Sequence, residues 1–455
     1  MKNILIIAYY YPPKGGAGVQ RTTKFANYLS NMGYNVSVLT VKEESNGIVD
    51  KSLSKEIDKN ISVYRADIKE SDIINKLTRL LSNKGASNTQ SDSNGVVSTG
   101  LHLNGIKSKL KKSVRNIGKK VFLNVYNLVY IPDDKKGWID FAVEKGRKIM
   151  KEKNIEVIFT TSGPYSSHLI GYELAKEASV KWIADFRDPW VENPFVNNGI
   201  AIESVYAHLE KKVVKKADKV ISVSKPIIDN FIKRYKNESI DKFRIITNGY
   251  DEKDFSNLNL SLAEKNERFS ILYNGTLYGK RSPEKILKSI ENLIETNKID
   301  QYRIKIKFSG QIGNEHMETV NYYMNKYPEV VEHQNYVPHE ESLKQLCMAN
   351  SLLLIIDEGV GSEGIYTGKI FEYIRTGKPI LGIVPEGVAK ELILETNTGY
   401  IANPSKQNEI ENIIYSAYLD FINTNKYIKP DWNKIKQYSR ENLTRQLIDV
   451  IAEIK

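Results

Sequence analysis

Short unbroken apolar runs alternate with stretches of helical period along most of the chain. Residues 3–8 are apolar throughout except at Asn3. A Gly-rich loop follows, then residues 19–32, where Val19, Phe25, Ala26 and Leu29 fall on one helical face before Gly33 stops the pattern. Residues 35–40 are the next run. Continuous apolar runs of this length read as parallel strands covered on both faces, and their alternation with helices reads as an α/β sheet. Further strands are expected at 156–160, 181–185, about 219–223 and 244–247, with helices at 139–149, 167–178 and 201–216. The order strand, Gly loop, helix begins again at 269–274, with its helix at 284–295. Strands then follow at 304–309, 330–337, 351–356 and 380–384, and helices at 317–326, 340–348 and 408–421. Residues 432–455 carry Leu443, Leu447, Val450 and Ile451 at helical spacing, with Ser439 and Glu441 suited to an N-cap region.

One stretch, 363–384, organises the second half. Thr367 is placed to cap a short helix over about 368–376, Gly377 to end it and Pro379 to prevent its continuation. Ile370, Phe371 and Ile374 share the face that buries, and Glu372 points away from it. A helix preceded by a Gly-containing loop offers free N–H groups and a partial positive charge, which suits a diphosphate. Lys369 adds a cation in the first turn. Glu372, one turn further in, can accept hydrogen bonds from two sugar hydroxyls.

The chain has 455 residues, enough for two or three domains with full cores. Its 66 Lys and Arg against 55 Asp and Glu leave a net charge of +11, which favours anionic partners without naming one. A single cysteine, Cys347, excludes an internal disulfide framework. Six His and one Cys show no metal-ligand spacing, so no metal is expected. No run is long enough for a membrane span, and MKNILIIAYYYPP lacks a cleavage-site pattern. A cytoplasmic protein is expected.

Several loops carry candidate chemistry. Gly15 and Gly16, after the first strand, let backbone approach a ligand closely, though the segment is not the dinucleotide fingerprint. Two later loops, SGPYSSH (162–168) and DFRDPW (185–190), lie at carboxyl ends of strands, where open α/β sheets bind ligands. There His168 is a candidate to take a proton or touch a donor, with a helix cap as the alternative. Asp185 and Asp188 are candidates to bind acceptor hydroxyls and Arg187 to fix one of them, the alternative being an Arg187–Asp188 pair. Lys280 and Arg281, after the strand at 269–274, can neutralise a leaving diphosphate. Residues 82–98 are polar, rich in Ser, Asn and Gly, and read as a disordered insertion. Residues 106–125 pair a stripe of Ile, Leu and Val with seven Lys or Arg and no acid. Three readings compete for that segment: an anionic membrane surface, an ordinary surface helix, or nucleic acid, the last disfavoured because no recognised nucleic-acid module is present.

The 363–384 stretch, the N-terminal Gly loop, SGPYSSH, WIADFRDPW and the NGYD turn at 248–251 together resemble family-4 retaining glycosyltransferases, in the branch that builds cell-surface polysaccharide. The resemblance spans most of the chain outside about 82–127. It implies the GT-B architecture: an acceptor-side Rossmann-like domain over 1–248, a nucleotide-sugar-binding domain over 249–431, and a helix at 432–455 that returns to the first. It also implies a nucleotide-sugar donor, UDP-linked by expectation, a lipid-linked or glycan acceptor and no metal; the membrane reading of 106–125 would place the protein at the inner face of the cell membrane. In that family's Glu-x7-Glu pattern the second Glu, which holds the ribose, matches Glu372. The first, which contacts the donor sugar, matches Gly364, with Glu363 one residue off register. The implied donor site is Gly15, Gly16, Glu363, Lys369, Ile370 and Glu372. The implied catalytic set is His168, Asp188, Lys280 and Arg281, and the acceptor site Asp185 and Arg187. A nucleotide-sugar 2-epimerase and a non-catalytic membrane-docked scaffold are the alternatives.

Overall fold

The computed structural model describes residues 2–15, 17–42, 50–69, 130–193, 199–256, 258, 267–423 and 428–454. The insertion at 82–98 and the basic segment at 106–125 lie outside them, as does Gly16. Within the described residues the chain forms two parallel sheets, one after the other. The first holds β1 (Asn3–Ile7), β2 (Asn35–Val41), β3 (Ser62–Ala66), β4 (Val157–Thr161), β5 (Lys181–Phe186), β6 (Lys219–Ser222) and β7 (Phe243–Ile245), in the order β3-β2-β1-β4-β5-β6-β7. The second holds β8 (Phe269–Asn274), β9 (Ile304–Ser309), β10 (Val331–Gln334), β11 (Ser351–Ile355), β12 (Ile380–Ile383) and β13 (Gly399–Ala402), in the order β10-β9-β8-β11-β12-β13. In each sheet the strand order reverses beside the first strand, between β1 and β4 and again between β8 and β11. Loops at the carboxyl side of such a switch point are the natural ligand sites of an open parallel sheet.

Both sheets are covered on two faces, which is why their central strands are unbroken apolar runs. Leu5 and Ile7 point into one core with Trp138, Leu174 and Trp182; Ile4 and Ile6 point into the other with Phe25 and Leu29. The second sheet divides in the same way, Ile271 facing Leu287 and Ile414, and Leu272 facing Phe371 and Ile374.

Edge strands were the hardest to see in the sequence. β3 is only half-buried over most of its length, so its SVYRA carries no apolar run, and the sequence reading passes over it. The strand expected at 330–337 is the short β10, where only Val331 is buried and the other three residues are half-buried at the sheet edge. The helix Lys225–Arg234 was also not expected. Pro226 stands in its first turn, where a missing N–H costs nothing, but Pro reads locally as a loop. The final amphipathic stretch is two helices, Trp432–Lys436 and Arg440–Glu453, broken at Ser439, whose hydroxyl accepts from Asn442 N–H. Leu443, Leu447, Val450 and Ile451 pack against Ile4, Phe25 and Leu29 of the first core.

The chain passes between the two sheets at Asn248-Gly249-Tyr250-Asp251 and returns beside the same place. Tyr250 N–H donates to Tyr438 carbonyl at 3.2 Å, and Arg440 N–H donates to Tyr250 carbonyl at 2.8 Å. Asp251 is tied to the first sheet's opening helix, Ala17–Asn31, through Lys24 at 2.8 Å and the Tyr28 hydroxyl at 2.7 Å. Opposite charges this enclosed hold the two lobes in register, since leaving any of them unpaired is costly.

Candidate active site

A cleft of about 1760 Å³ runs between the two sheets, lined from both lobes and from the returning C-terminal segment. Its second-lobe wall is built on the helix Lys369–Thr376. Ile370, Phe371, Tyr373 and Ile374 are fully buried and fix the helix in the core. The Tyr373 hydroxyl accepts from Asn274 N–H at 3.1 Å and so registers the helix against the end of β8. Gly377 ends it in the left-handed conformation with φ of 67°. Its N-terminus differs from the sequence expectation. Thr367 does not cap it; its hydroxyl is buried without a partner, and the first turn has no side-chain acceptor. The helix therefore presents uncapped N–H groups at its start.

Lys369 opens that helix and lines the cleft. Its Nζ lies 4.2 Å from the centroid of the Tyr273 ring and makes no hydrogen bond or ion pair among the described residues. Burial pushes its pKa down to about 7, with the nearby Arg281 guanidinium adding to the fall and Glu372 opposing it. Gly275, just past β8, has φ of +126°, and a Cβ there would stand 2.5 Å from Lys369 Nζ. Glycine at this turn thus supplies both the backbone conformation and the room for the lysine. One turn on, Glu372 lines the cleft and pairs with His339 Nε2 at 2.9 Å. That hydrogen bond lifts the His339 pKa above the ordinary imidazole range, against the effect of burial.

The first-lobe wall carries Arg187 and Asp188, at the end of β5. Arg187 donates from Nη1 to Gly18 carbonyl at 3.0 Å, and its backbone N–H donates to the Ser162 hydroxyl. Asp188 is open to the cleft water yet enclosed by the two walls. Burial raises its pKa, and the Arg187 charge acts against the rise. Arg440, from the start of the C-terminal helix, lines the same cleft although only 8% exposed.

No family sequence model and no curated protein sequence matches the chain. Solved structures do. A sucrose-phosphate synthase from Thermosynechococcus elongatus superposes over 100% of this chain and 99% of its own, with a TM-score of 0.62 at 13% identity. HepE from Anabaena, solved in complex with UDP, covers 100% of both chains with a TM-score of 0.61 at 11% identity. The lipopolysaccharide outer core galactosyltransferase WaaB covers 99% of both, with a TM-score of 0.55 at 12% identity. The fold is GT-B. At these identities the likeness establishes the arrangement of the two lobes, and the chemistry has to be read from this chain's own residues.

Against that GT-B frame the residues named from sequence fall into three groups. Lys369, Glu372, Glu363, Arg187 and Asp188 line the cleft together. Lys280 and Arg281 do not line it. Lys280 is exposed, while Arg281 is half-buried beneath the wall, close enough to Lys369 and Tyr273 to shift both. Gly15 is half-buried and outside the lining, and Gly16 lies outside the described residues.

The third group is corrected by burial. Asp185 is fully buried and bound by Arg21 through Nε at 3.0 Å and Nη2 at 2.8 Å, and by the Thr161 hydroxyl at 2.8 Å. It has no face to offer an acceptor and ties the opening helix to β5 instead. His168 is equally buried. Its Nδ1 meets the Thr160 hydroxyl at 2.8 Å, its ring packs on Phe186, and burial takes its pKa down to about 3. As placed, it is a neutral core histidine rather than a proton carrier at the cleft. Ile370 contributes its side chain to the core, not to the cleft.

The position of the family pattern's first Glu has a local explanation. Gly364 is buried against the first lobe: a Cβ there would lie 3.5 Å from Pro226 Cβ and 3.6 Å from the Ser224 hydroxyl. A glutamate would have to grow into the helix Lys225–Arg234, whereas Glu363 beside it is exposed in the cleft. His339 and Arg440 are among the lining residues that the sequence reading passes over. His339 sits beside a proline in a polar stretch, and Arg440 in a helix whose only legible signal was its apolar stripe. Cys347 is buried, and burial raises its thiol pKa. Among the described residues no group of His, Cys, Asp and Glu is arranged to hold a metal ion, and no helix is long and apolar enough to cross a membrane.

Proposed function

We propose that the chain is a retaining glycosyltransferase that moves a sugar from a nucleotide-sugar, with UDP as the nucleotide, to a glycan or lipid-linked acceptor. The observation that carries the reading is Lys369: an enclosed ammonium with no anionic partner, at an uncapped helix start, lining the cleft of a GT-B fold. A diphosphate supplies the charge this arrangement lacks. HepE, which shares the fold, has been solved with UDP and with UDP-glucose, in keeping with that ligand class.

In this reading the donor lies on the second-lobe wall. Glu372 exchanges His339 for the ribose hydroxyls, and Lys369 with the helix N–H groups holds the diphosphate. Negative charge grows on that diphosphate as the glycosidic bond breaks, so groups aimed at it stabilise the transition state more than the ground state. Arg281, half-buried near Lys369, adds to the positive field, and Lys280 adds a weaker, solvent-screened contribution. Glu363 is the group nearest in sequence to the sugar-contacting position. Asp188, which lines the cleft with Arg187, would accept a hydrogen bond from the acceptor hydroxyl. Enclosure between two lobes keeps water from the donor and so limits its hydrolysis. The basic stripe at 106–125 supports docking at an anionic membrane, where a lipid-linked acceptor would be met.

The test is turnover. A panel of UDP-sugars, each offered with and without acceptor extracts, should give UDP release that depends on the acceptor and disappears in Glu372→Ala. Conversion of a UDP-sugar to its 2-epimer without acceptor would replace the transferase by the epimerase. Failure to bind any nucleotide-sugar would favour a scaffold.

A further inference from the structure

The cleft holds a second group of cations, on the wall opposite Lys369. Arg440 is only 8% exposed, its Nη1 is buried without a partner, and no side-chain hydrogen bond or ion pair engages its guanidinium among the described residues. The charges that act on it most are two further arginines, Arg21 and Arg187. Arg21 is already satisfied by Asp185 and by the carbonyls of Ile246 and Thr247. Arg187 is satisfied only in part: Nη1 reaches Gly18 carbonyl, while its Nε is buried with no acceptor. The acids within electrostatic reach of Arg440 are committed elsewhere, Asp251 to Lys24 and Tyr28, and Glu372 to His339. Lys369 starts a second-lobe helix, whereas Arg187 follows β5 and Arg440 starts the C-terminal helix that packs on the first core, so the two cationic groups are carried by different elements lining one cleft.

A buried guanidinium without an anion is an expensive thing to keep, and folding alone gives no reason to keep it. Two guanidinium groups lining the same cleft, each with a buried donor that has no partner, match the several oxygens of a phosphoryl group. We infer that Arg440, together with Arg187 of the same cleft, binds a phosphoryl group carried by the acceptor, while the donor's diphosphate occupies the wall at Lys369. The acceptor then presents its hydroxyl to Asp188 from a phosphorylated end anchored at the base of the cleft. This rests on the transferase reading above and adds the chemical class of the acceptor.

The experiment is a titration of the full-length protein, saturated with UDP, with inorganic phosphate followed by phosphorus NMR. Wild-type protein should bind phosphate alongside UDP. Arg440→Gln should weaken that binding at least tenfold while changing UDP affinity less than twofold. Arg187→Gln should weaken it in the same direction, which keeps the test open if the Arg440 variant does not fold. Phosphate binding that survives both substitutions, or that UDP abolishes in wild type, overturns the inference. So does a tenfold loss of UDP affinity in Arg440→Gln, which would assign the arginine to the donor. If wild type binds no UDP, the transferase reading fails by itself. Phosphate titration of the free protein then still decides whether Arg440 rather than Lys369 is its site, by comparing Arg440→Gln with Lys369→Met.

Discussion

Lys369 Nζ stands 4.2 Å over the face of Tyr273 and makes no hydrogen bond or ion pair among the described residues. A ring quadrupole offsets only part of what an ammonium loses on leaving water. The pKa falls to about 7 as a result. Between pH 7 and the unfolded lysine value of 10.5 the folded chain holds fewer protons than the unfolded chain, so this group's contribution to stability rises with pH across that window. Lys369→Met should therefore raise the melting temperature at pH 6 to 7, with the gain shrinking toward pH 10.5.

The same shift governs ligand binding. A diphosphate needs the ammonium form, so above pH 7 the free protein must take up a proton to bind it. UDP affinity is expected to be level just below pH 7 and to fall by up to about tenfold per unit above it. Calorimetry in two buffers of different ionisation enthalpy would read the proton uptake at pH 8, and Lys369→Met should abolish it.

Two neighbouring aspartates should part company. Asp185 is enclosed with Arg21, so Asp185→Asn leaves a buried guanidinium half-paired and should cost roughly 3–5 kcal/mol of stability. Asp188 faces the cleft, so Asp188→Asn should leave the melting temperature within a degree or two and lower turnover instead. Denaturant unfolding of both variants, beside kinetics of the second, separates the roles.

What the sequence reading reached and what it missed follow from the same physics. Central strands such as β8 and β9, and the helix Glu284–Glu295, have the bounds expected, because burial on both faces or one wide apolar face writes itself into the pattern. Lys369 and Glu372 were legible because a helix start between Gly residues is a local feature. Asp185 and Asp188 were not separable, since a two-residue step past the end of a strand decides between core and cleft. Arg440 was invisible: its environment is made by Arg21, Arg187 and Tyr250, all distant in sequence.

The contact at Gly364 gives a steric prediction. A Cβ at 3.5 Å from Pro226 is ordinary packing, so Gly364→Ala should fold and bind nearly as wild type. Gly364→Glu must push the helix Lys225–Arg234 away and should open the lobes. Small-angle scattering should show a larger radius of gyration for the Glu variant alone.

His339 reports on the donor site. Its imidazolium is favoured by Glu372, so the pair's stabilisation is complete below pH 6.5 and lost as pH rises through the elevated folded value. In Glu372→Gln the His339 pKa, followed by proton NMR, should drop toward the free imidazole value. A ligand that draws Glu372 to ribose hydroxyls should lower it in the wild-type protein too.

The most direct measurement is the affinity of UDP for the wild-type protein and for Lys369→Met, by calorimetry at pH 7. A loss of at least tenfold in the variant, with the fold intact by circular dichroism, is the result expected of a diphosphate site at Lys369. Equal affinity in the two proteins would contradict that site.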